Sequence, residues 1–224
     1  MAKVTVGSFE KLHQRIQSYR SKTMIYRGVK DTSYELIPKI GRYDCFKKST
    51  LQEIETEERT MLRLFRERAW PLLGDAKVSD WELLALGQHH GLPTRLLDWT
   101  RNPLVAAFFA VEDENDGDSL IYAFHHTTFL LTKEQPDPFA RKTVGKFIPN
   151  HVTQRITAQA GLFTIHPNPK NPFESDKLDR LIIPGNFRKS LKGILYRYGI
   201  QRATLFPDLE GLAKHIEWLR TDVY

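Results

Sequence analysis

The 224-residue chain has a single cysteine, Cys45, so no internal disulfide can staple it and its order must come from core packing. One unpaired thiol suits a reducing cytoplasm. Long hydrophobic runs are also missing. The longest, Leu104 to Val111, is far too short to span a bilayer. The N-terminal MAKVTVGSFEKLHQ lacks the apolar stretch of a secretory signal. These absences predict a soluble, cytoplasmic protein with no membrane partner. The chain also contains no GxGxxG, Walker A, HExxH or GxSxG pattern and no Cys/His cluster. A Rossmann domain, a P-loop NTPase, a zinc hydrolase and a serine hydrolase are all poor readings, and no metal is expected. No internal repeat, low-complexity tract or linker divides it.

What is present is ordinary in amount and uneven in place. Hydrophobic residues make up 41% and charged residues 27%, as in soluble globular domains. The net charge of +6 is concentrated early: residues 1–50 hold 11 Lys/Arg against 4 Asp/Glu, and the remaining 174 hold 22 against 23. That surplus suits a polyanion, a nucleotide phosphate or an acidic partner protein. A solvated helix face with a basic loop is the simpler account. No arginine-rich tail or RNA-binding signature accompanies it.

Periodicity and punctuation predict the elements. Ser8 caps a helix carrying Phe9, Leu12, Ile16 and Tyr19. A strand, Met24 to Tyr26, ends at Arg27-Gly28. A long helix should start near Ser49, where Ser49/Gln52 and Thr50/Glu53 both fit a capping box, and stop near Ala69 before Pro71 and Gly74. Ser79 and Glu82 form another box, for a helix closed by Gly91. Asn102 and Pro103 open a helix through Val111. Strands are expected at Leu120 to Phe124, Leu162 to Ile165, Leu181 to Ile183 and Ala203 to Phe206. Helices are expected at about 186–198, closed by Gly199, and 208–220, capped by Asp208. Helices come first and strands later, which predicts an α+β fold with a mixed or antiparallel central sheet flanked by helices.

One charge is out of place. On the 49–69 helix the apolar stripe runs through Leu51, Ile54, Met61, Leu62 and Phe65, and Glu58 falls on it. A carboxylate there must be paired, because burying an unpaired charge costs several kcal/mol or more. Arg27 and Arg95 are the obvious partners. A structural ion pair and a catalytic carboxylate both remain open.

The densest chemistry lies in GQHHGLPTRLLDWTRNP, residues 87–103. Gln88, His89 and His90 fall on the last turn of a helix, where protonated imidazoles suit the dipole. Adjacent histidines diverge by about 100° on a helix and cannot chelate one metal. Leu92 before Pro93 is held extended. Leu96, Leu97, Leu104, Val105 and Phe108 anchor the connection in the core. Gln88, His89, Thr94, Arg95, Asp98 and Trp99 are left with polar ends that need partners. A rigid, buried connection of this kind holds a ligand or supplies structural hydrogen bonds. Arginines, hydroxyls, carboxylates and an aromatic suit a ligand bearing a phosphate and a ring. With Arg27, these side chains are expected to converge on one concave site.

The set YRG at 26–28, LIPKIGR at 36–42, GQHHGLPTRLLDWTRNPLVAAFFA at 87–110 and FPDLEGLAKHI at 206–216 resembles the FRG domain, a family named for its aromatic-Arg-Gly motif and found mainly in bacteria and their phages. Tyr26 stands where the family name has Phe. The resemblance spans nearly the whole chain and implies a single domain over 1–224. A second resemblance is to ADP-ribosyltransferases of the arginine–serine–glutamate type. It implies that Arg27 holds the phosphate or ribose of NAD, Thr94 takes the serine position, and Leu104 to Ala110 form the helix behind it. Tyr26, Gly28, Gln88, His89 and Arg95 would join the cofactor site, and Trp99 would stack on a ring. In TAQAGLF the place of the glutamate is held by Gln159, which cannot offer a full charge to an oxocarbenium ion. Catalysis then falls to Glu58, Thr94 or Asp98, or is absent. Three readings follow: an NAD-using transferase acting as a toxin or phage-defence effector; a non-catalytic nucleotide or nucleic-acid module; and an interaction domain in which the motif is only an internal network.

Overall fold

The computed structural model describes residues 2–19, 23–73, 77–125, 129–130, 132, 134–150 and 153–221. Among these, seven strands form one sheet: β1 (Lys3–Thr5), β2 (Met24–Val29), β3 (Leu96–Thr100), β4 (Ser119–His125), β5 (Gly145–Phe147), β6 (Gly161–Ile165) and β7 (Leu178–Ile183). Their order is β1-β7-β4-β2-β3-β6-β5. Only β1 and β7 run parallel; every other neighbouring pair is antiparallel. The fold is mixed α and β with a mostly antiparallel sheet, and no described helix is long and apolar enough to cross a membrane.

The helices begin where their caps predict. Ser8 accepts from Lys11 N at the head of α1 (Phe9–Ser18). The reciprocal box before α2 (Leu51–Leu73) is Thr50 with Glu53, at 2.7 and 3.2 Å. Ser79 and Glu82 box α3 (Asp80–His89), and Asn102 caps α4 (Pro103–Val111). α5 (Gln154–Ala158) precedes β6, and α6 (Gly185–Arg197) ends before Gly199, whose φ is +74°. α7 (Arg202–Leu205) and α8 (Leu209–Thr221) follow, with Asp208 Oδ1 accepting from Gly211 N at 2.7 Å.

Three expectations are corrected. Ala203 to Phe206 is not a strand: Gln201 and Thr204 close a capping box that starts the short α7. α2 does not stop at Ala69 but runs through Pro71 to Leu73. Proline there falls in the last turn, so its missing N–H removes one bond near an end; Gly74 lies outside the described residues. Leu51 is exposed rather than part of the buried stripe, which runs Ile54, Glu58, Leu62, Ala69. The extended connection after Pro93 proves to be β3, an interior strand.

Strand alternation sends side chains to two faces. On one face, Tyr26, Ile121, Ala123, Leu181 and Ile183 pack under α4 and α6. Farther along the same face Leu96, Phe147, Phe163 and Ile165 pack under α3, joined by Leu62 of α2. The opposite face gathers Ile25, Leu97, Trp99, Tyr122, Phe124 and Leu178, closed by Leu36 and Phe173. The two helix-covered halves meet at β2 and β3, which share a single register pair, Tyr26 with Thr100. β2 pairs with β4 over its whole length, as β3 does with β6. The sheet is therefore weakly joined at its middle.

Gly28 explains how α4 lies so close to β2. A Cβ on Gly28 would stand 1.9 Å from the Ala106 carbonyl oxygen and 2.7 Å from Ala110 N. Gly28→Ala should therefore force α4 off the strand and lower unfolding stability by about 1–3 kcal/mol or more. Gly193, inside α6, meets nothing within 4 Å of an added Cβ, so Gly193→Ala should instead stabilise by about 0.5–1 kcal/mol. Denaturant titration of the two variants checks the contrast; equal effects would contradict the packing.

Candidate functional site

Where β2 and β3 part, a cleft of about 300 Å³ opens, lined by Tyr26 and Thr100 from the helix-covered face and by Arg27 and Trp99, which alternate to the other. β2 supplies Tyr26, Arg27 and Gly28, and β3 supplies Asp98, Trp99 and Thr100. The last turn of α3 adds Gln88 and His89, α4 adds Phe109, α5 with its cap adds Arg155, Ile156 and Gln159, and β6 adds Phe163. Six of the residues singled out from the motifs thus share one concavity with Tyr26 and Gly28.

A chain of hydrogen bonds organises its polar wall. Thr94 Oγ1 donates to Gln88 Oε1 at 2.8 Å, and Gln88 Nε2 donates to Asp98 Oδ2 at 2.9 Å. Arg27 Nη1 donates to the Asp98 carbonyl at 2.7 Å and stands 3.4 Å from its carboxylate. Arg27 therefore bridges the two strands where their ladder ends. Thr100 Oγ1 donates to the Gln159 carbonyl at 2.7 Å, and Gln159 Nε2 donates to Leu205 O at 3.0 Å. Both ends of Gln159 are tied into the fold. Arg155 stacks over Phe206 at 4.3 Å.

Thr94, Arg95 and Glu58 are not brought to the cleft. Thr94 is wholly buried and reaches it only through Gln88. Arg95 turns the other way, toward α2. Glu58, 1% exposed, accepts from Arg95 N at 2.7 Å and from Arg95 Nε at 2.8 Å. The guanidinium also lies 4.4 Å from the Phe139 ring centre. Burial pushes the Glu58 carboxyl above its ordinary value, opposed by the Arg95 guanidinium and N–H. Both Glu58 oxygens are engaged inside the core, so the carboxylate has no open face toward a ligand.

Trp99 belongs to the sheet's opposite face. It is 3% exposed, and Nε1 donates to Thr164 Oγ1 at 2.8 Å. Thr164 Oγ1 lies 2.8 Å from His166 Nε2. Which of the two donates there is set by the imidazole tautomer. Burial pushes His166 down to about 3, which keeps that ring neutral. The Trp99 ring is thus packed against Phe124 rather than free to stack on a ligand.

Burial lowers the pKa of His89, and the neighbouring His90 and Arg155 charges add to the effect. His89 is therefore held toward the neutral form, contrary to the expectation of a protonated helix end. Burial also raises the Tyr26 phenol to about 12. Asp98 is the single carboxylate among the described lining residues. The sequence reading missed Arg155, Phe109 and Phe163. Phe109 had a signal in the VAAFFA helix behind the motif; Arg155 had none, because it belongs to a helix of five residues. A second cavity, also about 300 Å³, lies between α4, α6 and α8; Phe108 of the 87–110 block and Lys214 and His215 of the 206–216 block line it, but none of the candidate site residues does.

Comparison with known families places these elements. The family model of the FRG domain matches residues 22–119. The chain therefore carries an FRG domain that contains YRG, LIPKIGR and the whole 87–110 block. No curated protein and no solved structure matches the chain. The matched segment supplies the β2, α3, β3 and α4 walls, whereas Arg155, Gln159 and Phe163 come from beyond it.

Removing one partner of the buried pair tests its weight. Glu58→Gln should cost about 3 kcal/mol or more, because it removes the charge that engages both the N–H and the guanidinium of buried Arg95 and leaves only Glu55, 3.8 Å away, to balance it. Glu57→Gln, on the exposed side of α2, should change stability by less than about 0.5 kcal/mol. Chemical denaturation measures both; a Glu58 variant as stable as the Glu57 variant would contradict the pairing.

Proposed function

We propose that this FRG domain binds a nucleotide of the NAD class in the β2–β3 cleft. The observation that supports the reading is the make-up of the walls. Arg27 and Arg155 supply cations, Gln88 and Asp98 supply hydrogen-bonding groups, and Tyr26, Phe109 and Phe163 supply ring faces. Guanidinium forks match phosphate oxygens, and aromatic faces take planar rings. A cavity of about 300 Å³ stands at the small end of the ligand-pocket range, so it suits one nucleotide half, with the rest of a dinucleotide along the surface.

The transferase reading adds a reaction. The bond from ribose C1′ to nicotinamide breaks, nicotinamide leaves with the electron pair, and an acceptor nucleophile bonds to C1′ and gives up its proton. Asp98 is the carboxylate placed to face the positive charge that develops on the ribose. Thr94 acts on the site only by orienting Gln88. A toxin or phage-defence role follows from this reaction alone, and an acidic protein or a nucleic acid as acceptor suits the basic N-terminal region. A second reading is favoured by Gln159: an uncharged amide held by Leu205 supports a nucleotide module without transfer chemistry.

Arg27 is not the partner of Glu58, so replacing it leaves the buried ion pair intact. Arg27→Lys keeps the charge but loses the planar fork. Losing a hydrogen bond to a charged group, worth ~1.5–3 kcal/mol, should weaken NAD binding roughly tenfold to a hundredfold in calorimetry. Nicotinamide release, with and without cell extract as acceptor, should fall in Asp98→Asn and persist in Gln159→Ala. No release by the wild type removes the transferase reading. No NAD binding removes the nucleotide reading as well.

A further inference from the structure

The cavity between α4, α6 and α8 shares no lining residue with the β2–β3 cleft. One wall is α8, seated by Gly211, where an added Cβ would stand 2.1 Å from the Phe206 carbonyl oxygen. The helix buries Gly211 and His215 and turns Leu209, Leu212, Ile216 and Leu219 outward. Apolar packing alone would favour the opposite orientation, with the aliphatic stripe inside. A histidine therefore holds a buried place on α8 that any of four aliphatic residues would fill more cheaply.

His215 is 7% exposed, lines the cavity and makes no hydrogen bond among the described residues. A buried polar group is normally paired, so the ring lacks a partner on the cavity side. Burial lowers its pKa, and the neutral imidazole keeps a lone pair that accepts. Tyr196 and Trp218 lie against it, with ring centres 5.8 and 5.9 Å away, and complete an aromatic wall. The cations of the cavity are already engaged. Arg202 pairs with Glu112, and Lys214 pairs with Glu210 at 2.7 Å. Lys192 Nζ donates to the Glu112 carbonyl at 2.8 Å and lies 5.3 Å from the Trp218 ring centre. Asp113, Glu114 and Glu217 line the same cavity, yet their carboxylates make no ion pair or hydrogen bond among the described residues.

We infer that this cavity binds a small organic cation, an alkylguanidinium or alkylammonium group. Asp113, Glu114 and Glu217 are its counter-charges, His215 its inner acceptor, and Tyr196 and Trp218 its aromatic wall. Guanidinium and ammonium groups only donate, and the carboxylates and the imidazole lone pair accept. Aromatic faces attract cations, as Lys192 over Trp218 already does within the chain. A volume of about 300 Å³ stands at the small end of ligand pockets, which suits a ligand the size of agmatine. The site stands apart from the nucleotide reading and does not depend on it.

Agmatine is the probe, titrated by calorimetry into the wild type, His215→Phe and the double variant Glu114→Gln/Glu217→Gln. N-acetylarginine amide is titrated in parallel, and succinate is the control of opposite charge. Agmatine should bind one to one, and nitrogen NMR should show the His215 ring and Trp218 Nε1 responding together. Both variants should bind it tenfold or more weakly. The ligand-free thermal midpoint of the double variant should not fall, since both carboxylates are exposed and unpaired. A merely structural His215 would lower the midpoint in His215→Phe and leave the agmatine affinity alone. No agmatine binding by the wild type, succinate bound in its place, or an affinity unchanged in the double variant overturns the site. Tighter binding of N-acetylarginine amide than of agmatine keeps the site and assigns its cation to a protein's arginine side chain. Tighter binding of agmatine keeps the site for a free amine.

Discussion

Arg95 is gripped twice by one buried carboxylate, through its backbone N–H and through its side chain. The double contact fixes more than a rotamer. It holds the chain at the residue just before β3 and so orients the strand against α2. Thr94, one residue earlier, is left pointing to Gln88, and Gln88 is thereby aimed at Asp98. A buried ion pair contributes little net stability over an apolar substitute, but it tolerates few alternative geometries. In this chain its effect is positional: the core side of residues 94–95 sets the cleft side of residue 98.

The cleft exists because the sheet is held from both outer parts and not at its middle. α4 and α6 cover β2, β4 and β7, while α3 and α2 cover β3, β5 and β6. Each half buries its own apolar set, and a single register pair joins them. A gap in a backbone ladder leaves polar groups that need other partners. Arg27 meets that need at the Asp98 carbonyl and brings a charge to the rim in doing so. Gly28 beside it lets α4 approach the strand at backbone distance, which brings Phe109 to the other wall. The aromatic-Arg-Gly motif thus serves packing with its glycine and the bridge with its arginine.

Much of the local structure could be read from short-range chemistry. Ser8, Thr50, Ser79, Asn102 and Asp208 cap the helices they precede, because a cap depends on residues within three positions of it. Glu58 could be placed in the core from helical spacing alone. Ala203 to Phe206 looked like a strand because a short apolar run carries no period, and a local capping box decided otherwise. β1 and α5 were missed for the same reason: three and five residues are too few to show a pattern.

The sequence by itself determined the caps, the buried carboxylate, the stretch that builds one wall of the cleft and the FRG resemblance, since all of these reside in neighbouring residues or in a contiguous motif. Only the tertiary structure decided which polar groups meet. It assigned Arg95 rather than Arg27 to Glu58, turned Trp99 to the opposite face, and brought Arg155 to the cleft that Asp98 lines from a segment 57 positions away in the chain. The physical reason is that side-chain direction in a strand alternates residue by residue, whereas the partner waiting on each face is set by sheet order and helix packing, which no local spacing encodes.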